Sequence, residues 1–226
     1  MKLLAIETAT EACSAALMVA DEVIERYQVA PRQHNELILP MCDALLAEAD
    51  ITLSQLDLIA FGCGPGAFTG VRIAAGVTQG IALAHDLPVA SISTLANLAY
   101  QAPVADQTIV MPSIDARMQE VYWALYKKHT HGLPQLMMAE TVQAPGDIRL
   151  ADHTIDFGLG TGWGTYQQTL QDLTRLGQQS IDTTTLPRAK YTALLAQHKY
   201  RAADLVAPGQ ALPVYLRDQV THKAGT

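Results

Sequence analysis

Short apolar runs alternate with polar, glycine-rich breaks along the chain. Leu3 to Ile6 and Ser14 to Val19 are apolar, and the polar stretch ETATEAC separates them. That pattern predicts two strands joined by a turn. Asp21 and Glu22 mark the next turn, and Val23 to Val29 a third strand. From His34 to Ala49 the period changes. Leu37, Met41 and Leu45 recur every fourth residue, with Ile38 and Leu46 beside them, which predicts a helix. Pro40 either stands in its first turn or kinks it one turn in. Leu58 to Phe61 predicts a buried strand, Gly62 to Gly70 (GCGPGAFTG) a loop, and the stretch to about His85 a long helix. Leu87 to Ile92 reads as a strand, and Ser93 or Thr94 can cap a helix through Tyr100.

The second half repeats this outline. Ala102 to Asp106 is the expected boundary, giving subdomains 1–104 and 105–226. Thr108 to Ile114 and Val121 to Tyr126 predict two strands around a turn that carries Asp115, as the first turn carries Glu7. Thr154 to Phe157 predicts another strand, GLGTGWG a glycine loop, and Tyr166 to Leu176 a helix. The strand–glycine loop–helix unit at Gly62 thus recurs at Gly158. Two matched units imply a duplicated α/β domain.

Composition narrows the function. Hydrophobic residues make up 49 % of the 226 positions and charged residues 16 %, against about 25 % charged in an average chain. Disorder is excluded, and some apolar surface is expected to lie under another chain. Acids exceed bases, 22 to 15, for a net charge of −7. A free-standing nucleic-acid binder needs a basic surface and is disfavoured. No apolar run approaches the roughly 18 residues of a membrane span, and the apolar N-terminal run is too short for a signal-peptide core. A cytoplasmic protein without membrane contact is the expectation. Cys13, Cys42 and Cys63 are widely spaced and contain no CxxC, so they read as small buried hydrophobes rather than disulfide or zinc ligands.

The loop from Gly62 to Gly70 is the most informative motif. A glycine-rich turn between strand and helix either serves the turn alone or offers N–H groups to an anion. GxxxxGK[ST] and GxGxxG are both absent, because Val71, Arg72 and Ala67 occupy the decisive positions. In the following helix Gly76, Gly80 and Ala84 form one row. Such a row suits close approach to the protein's own sheet or to a helix of another chain. Glu7 and Asp115 sit where magnesium–phosphate handling would need acids, although acids are common in turns. His129 and His131 lack a third metal ligand, and HExxH and GxSxG are absent. Trp123 and Trp163 read as core or rim aromatics.

These residues carry a family resemblance. LAIETATEACSAAL, HNELILPM, FGCGPGAFTGVRIAAGVTQGIAL, SIDARMQEVYWALY, GTGW and PVYLR, in that order, are similar to the TsaB (YeaZ) family. The resemblance implies the duplicated actin/Hsp70/sugar-kinase-like α/β fold, with the last helix packing back on the first subdomain. It also implies a role beside the enzyme TsaD. That enzyme transfers threonylcarbamoyl from its adenylate to N6 of adenosine 37 in tRNAs reading ANN codons. The ATPase TsaE joins the complex, and a further enzyme makes the adenylate. The chain lacks the histidine pair that brings a metal to TsaD, Glu7 replaces the aspartate of active kinases of this fold, and GLGTGWG is a depleted adenosine loop. A noncatalytic partner is therefore implied, with no catalytic residue, metal or intrinsic cofactor. The resemblance places the TsaD contact on the first two helices, with Leu37, Ile38, Met41, Leu45, Val77, Gly80 and Ile81 as candidate contacts. A homodimer through the same face is expected when TsaD is missing, and tRNA contact only through the complex. Residual ADP or ATP contact at the TsaD interface would fall to Glu7, Thr8, Arg72, Asp115 and Arg117. The main alternative is an active ATP-dependent small-molecule kinase of the same fold. A peptidase and a plain tRNA binder are weaker competitors.

Overall fold

The computed structural model describes residues 1–129 and 132–217. His131 lies outside them. Two five-stranded sheets form the frame. The first contains β1 (Lys2–Glu7), β2 (Ala12–Val19), β3 (Glu22–Val29), β4 (Leu58–Gly64) and β5 (Val89–Ser93), in the order β3-β2-β1-β4-β5. β2 pairs antiparallel with β1 and β3, while β4 runs parallel to β1 and β5. The second contains β6 (Ile109–Asp115), β7 (Val121–Lys127), β8 (Gln135–Gln143), β9 (Phe157–Leu159) and β10 (Ile181–Asp182), in the order β10-β9-β6-β7-β8. Counted within its own half, each sheet has the order 3-2-1-4-5. The chain has the duplicated α/β architecture of the actin/Hsp70/sugar-kinase fold.

Helices cover both faces of the first sheet, so its central strands are apolar on every residue and not on alternate ones. Leu4, Ile6 and Leu17 pack against α1 (His34–Glu48) and α2 (Phe68–His85). Their neighbours Leu3, Ala5, Ala16 and Met18 pack against Ala189, Ala193 and Ala196 of the last helix, which spans Ala189–Arg201. The second sheet buries Val110, Ala124 and Leu159 under α3 (Thr94–Gln101). Its other face buries Met111, Trp123 and Leu125 with Trp163 of α4 (Thr161–Thr165) and Leu170 of α5 (Gln167–Thr174). The last helix is accordingly α6.

Several local expectations are resolved. Ser93 caps α3, accepting hydrogen bonds from the Leu95 and Ala96 N–H groups at 3.1 and 3.2 Å. Pro40 stands inside α1, beyond its first turn and on its exposed side. The predicted strand at 154–157 instead forms over Phe157–Leu159, the predicted helix at 166–176 forms over Gln167–Thr174, and the predicted glycine loop before it contains a further short helix, Thr161–Thr165. All three cysteines are free and buried, as are both tryptophans. β8 was not predicted. Residue 104 separates the sheets but not the packing, because α6 crosses back to the first sheet. The Ala189 N–H donates to Ser14 Oγ at 2.9 Å, Arg188 pairs with Glu25, and Asn97 of α3 donates to Thr192 Oγ1 at 2.9 Å. Residues 211–217 then return across both halves as a strap. Val214 N–H donates to the Cys63 carbonyl at 2.7 Å, and Arg217 donates to the Ala116 carbonyl at 3.2 Å. No helix among the described residues is long and apolar enough to cross a membrane.

Candidate functional site

The start of α2 shapes the first of two candidate surfaces, a cleft between the halves. Close approach requires glycine here. A Cβ on Gly66 would strike the Ala9 carbonyl, and one on Gly70 the Thr8 carbonyl. The approach is sealed by the Ala67 N–H donating to the Ala9 carbonyl at 2.7 Å and Thr8 Oγ1 donating to the Gly70 carbonyl at 2.8 Å. Beside this contact the cleft encloses about 460 Å³. Its walls are the β1–β2 turn at Ala9 to Glu11, the segment before α1, the β6–β7 hairpin, Phe68, Tyr122 and the strap.

The charged groups in the cleft are largely paired with one another. Arg117 binds Asp115 at 2.9 Å and Glu11 at 3.3 Å, linking the two hairpins across the opening. Arg217 pairs with Glu120. Arg117, Met118 and Gln119 all hold φ between 53° and 63°, which costs a non-glycine residue roughly 1 kcal/mol each. His34, buried at the start of α1, donates from Nε2 to the Thr10 carbonyl at 2.9 Å and so fixes the first turn.

Five residues were candidates for nucleotide contact, and the structure separates them. Asp115 and Arg117 line the cleft. Glu7 and Thr8 do not. Both are buried, and the Thr8 hydroxyl is engaged by Gly70. The Glu7 carboxyl folds over Gly62, where any Cβ would collide with it. One oxygen accepts the Ala9 N–H at 2.9 Å and the other, Oε2, has no partner. Burial, opposed mainly by the hydrogen bond from the Ala9 N–H, raises its pKa to about 7. A half-neutral, enclosed carboxyl is a poor magnesium ligand. Arg72 lies beside the cleft, not in its wall. Among the described residues no group of three or more His, Cys, Asp or Glu side chains is placed to hold a metal ion.

The second surface is the outer face of α1 and α2. The candidate contacts again divide. Ile38 and Leu45 are buried in the chain's own core and offer nothing outward. The inner row of α1, His34, Ile38, Cys42, Leu45 and Leu46, is the row that covers the sheet. Leu37, Met41, Val77 and Ile81 are half-buried along the outer margin, with Ile73 among them, and Gly80 is exposed. Leu39 and Leu83 were not among the candidates, yet they are 49 % and 67 % exposed. Phe68 and Tyr215, at 47 % and 45 %, also escaped sequence reading. The repeat of Phe68, Arg72, Gly76 and Gly80 every fourth residue was a usable signal for the first. Tyr215 meets this row only through the fold.

Comparison with known proteins identifies the chain's relatives. The family model described as TsaD: tRNA N6-adenosine threonylcarbamoyltransferase matches residues 19–224. The tRNA threonylcarbamoyladenosine biosynthesis protein TsaB of Haemophilus influenzae is 39 % identical, covering 99 % of this chain and 96 % of its own. The protein of the same name from Escherichia coli is 36 % identical, covering 99 % and 97 %. The crystal structure of YeaZ from Pseudomonas aeruginosa superposes with a TM-score of 0.84 at 42 % identity, over 95 % of this chain and 99 % of that one. A Pseudomonas aeruginosa structure described as similar to peptidase YeaZ reaches 0.86 at 43 %, over 96 % and 99 %. The chain belongs to the TsaB (YeaZ) family, and with it to the wider family that the TsaD model describes.

Proposed function

We propose that this chain is a noncatalytic partner of TsaD in forming threonylcarbamoyladenosine at position 37 of ANN-reading tRNAs, acting together with TsaE. The observation that carries the reading is the outer face of α1 and α2. Leu37, Met41, Ile73, Val77 and Ile81 form a half-buried apolar margin, and Leu39 and Leu83 project beyond it. A second subunit covering this face would stabilise the complex by about 1.5–3 kcal/mol for each aliphatic side chain fully buried. The same face would pair two copies of the chain when TsaD is missing, and tRNA would be met only through the complex.

The cleft supports the noncatalytic part of the reading. A phosphate there would meet Glu11 and Asp115, and of the wall's three arginines Arg117 and Arg217 are already engaged by carboxylates, which leaves only the exposed Arg32 among the described residues. The residues of this chain alone fit an adenine nucleotide poorly. ADP or ATP would need groups from TsaD at the shared edge. An active small-molecule kinase would require a free acid at the end of β1, and Glu7 is enclosed instead.

The test is tRNA modification in a reconstituted system containing TsaD, TsaE and the adenylate-forming enzyme. Omitting this chain is expected to stop modification, and the chain alone is expected to show no ATP turnover. Met41→Asp is expected to remove TsaD binding while the chain stays folded, with a lowered melting temperature because Met41 is half-buried. Modification that proceeds without the chain refutes the partner role.

A further inference from the structure

Arg72 lies on the exposed side of α2, one turn after Phe68 and one turn before Gly76. Its guanidinium carbon stands 3.5 Å from the Phe68 ring centroid and 5.5 Å from that of Tyr215. Its Nε donates to the Tyr215 hydroxyl at 2.7 Å. The two rings are themselves 5.7 Å apart. Two aromatic side chains therefore fix the position of this cation, and one of them belongs to the strap 143 residues away.

No carboxylate among the described residues lies within ion-pair distance of Arg72. Among the described arginines, Arg32, Arg149, Arg175 and Arg201 also lack an ion pair, but none of these four stacks on a ring; the contrast is with the arginines that are held in place. Arg26 pairs with Glu48, Arg117 with Asp115 and Glu11, Arg188 with Glu25, and Arg217 with Glu120. Arg72 alone of these five is held by rings and not by an acid. On a chain of net charge −7, such a group invites an external anion. Stacking leaves the in-plane Nη edge of a guanidinium available for a two-pronged contact with a carboxylate. Holding the side chain in place beforehand reduces the entropy lost when that contact forms.

Position decides which anion. Phe68 and Tyr215 line the cleft, but Arg72 does not. It shares its helix row with Gly76 and Gly80, which are exposed and open. The row is continuous with the apolar margin of α1 and α2.

We propose that Arg72, braced by Phe68 and Tyr215, receives an aspartate or glutamate carboxylate from the protein that docks along α2, and so sets the register of docking. This inference rests on the partner reading above.

Binding of purified TsaD to the full-length chain, measured by titration calorimetry at low and high salt, tests it. Arg72→Ala is expected to weaken binding by at least about tenfold and to flatten the salt dependence. Arg72→Lys keeps the charge without the planar fork, so its loss is expected to lie between those of wild type and Arg72→Ala. The melting curve is expected to shift only slightly, because Arg72 is exposed and its ring and hydroxyl contacts lie at the surface. A loss below about tenfold for Arg72→Ala overturns the inference and leaves the partner reading standing. A wild-type chain that fails to bind TsaD overturns both. Titration of ADP into the isolated chain covers the phosphate alternative. ADP affinity is expected to be the same in wild type and Arg72→Ala. An ADP affinity that falls in Arg72→Ala while TsaD binding persists overturns the carboxylate assignment.

Discussion

The two halves share one strand order and differ in their outer helices. In the first, α1 and α2 run for 15 and 18 residues. Their inner rows cover the sheet, and their outer margin stays apolar and open. In the second, α4 and α5 run for 5 and 8 residues, and their large side chains turn inward. Trp163 is fully buried against Gly158, and its Nε1 donates to the Met111 carbonyl at 2.9 Å. Duplication supplied one frame twice. Helix length and the direction of the apolar rows made one outer face a closed core and left the other open.

Removing one large side chain from each face is the strongest way to break this comparison. Trp163→Ala is expected to destabilise the chain by about 3–5 kcal/mol, through lost contacts, a cavity and an unpaired Met111 carbonyl. Leu83→Ser, at a site 67 % exposed, is expected to change stability by less than about 0.5 kcal/mol and to weaken TsaD binding. Urea unfolding measures the first effect and calorimetric binding the second. Equal losses of stability at the two sites would erase the distinction between closed and open faces.

The matched ends of β1 and β6 differ as well. Asp115 reaches the cleft and pairs with Arg117, whereas Glu7 is enclosed with a pKa near 7 against an unperturbed 4.5. Between those two values the folded chain holds a proton that the unfolded chain has released. Stability therefore falls as pH rises through that window and stays low above pH 7. The full effect is about 3 kcal/mol. Glu7→Gln is expected to leave stability at pH 4.5 nearly unchanged, to raise it above pH 7 by up to that amount, and to flatten the slope between. Unfolding curves across this range check it, and a variant with the wild-type slope would assign the titration to another group.

Much of this frame is legible in the sequence. The apolar runs at Leu3, Ser14, Leu58 and Val121 become strands because both sheets are covered on two faces. β8 escaped because its half-exposed residues, Gln135–Gln143, include Met137 and Met138 and lack a clean alternation. The helix stripe was visible, but one stripe cannot say which side faces inward. Ile38 and Leu45 belong to the inner row and Leu37 and Met41 to its margin, and a shift of one residue along α1 separates them. The enclosure of Glu7 depends on the absence of a Cβ at Gly62, and the bracing of Arg72 on a residue at the far end of the chain. Neither leaves a local trace.

A small gain in stability gives the sharpest test of the open face. Gly76 and Gly80 are mid-helix, and a Cβ on either would meet nothing within 4 Å. Each glycine costs α2 roughly 1 kcal/mol relative to alanine, and nothing in the chain's own packing requires it. Gly76→Ala and Gly80→Ala are therefore each expected to stabilise the isolated chain by about 1 kcal/mol while weakening TsaD binding. Glycines at positions open to solvent are explained if another backbone must come close there. A gain in stability without a loss of binding would mean that no partner reaches these two turns. The open face would then be confined to the Leu37, Met41 and Val77 margin.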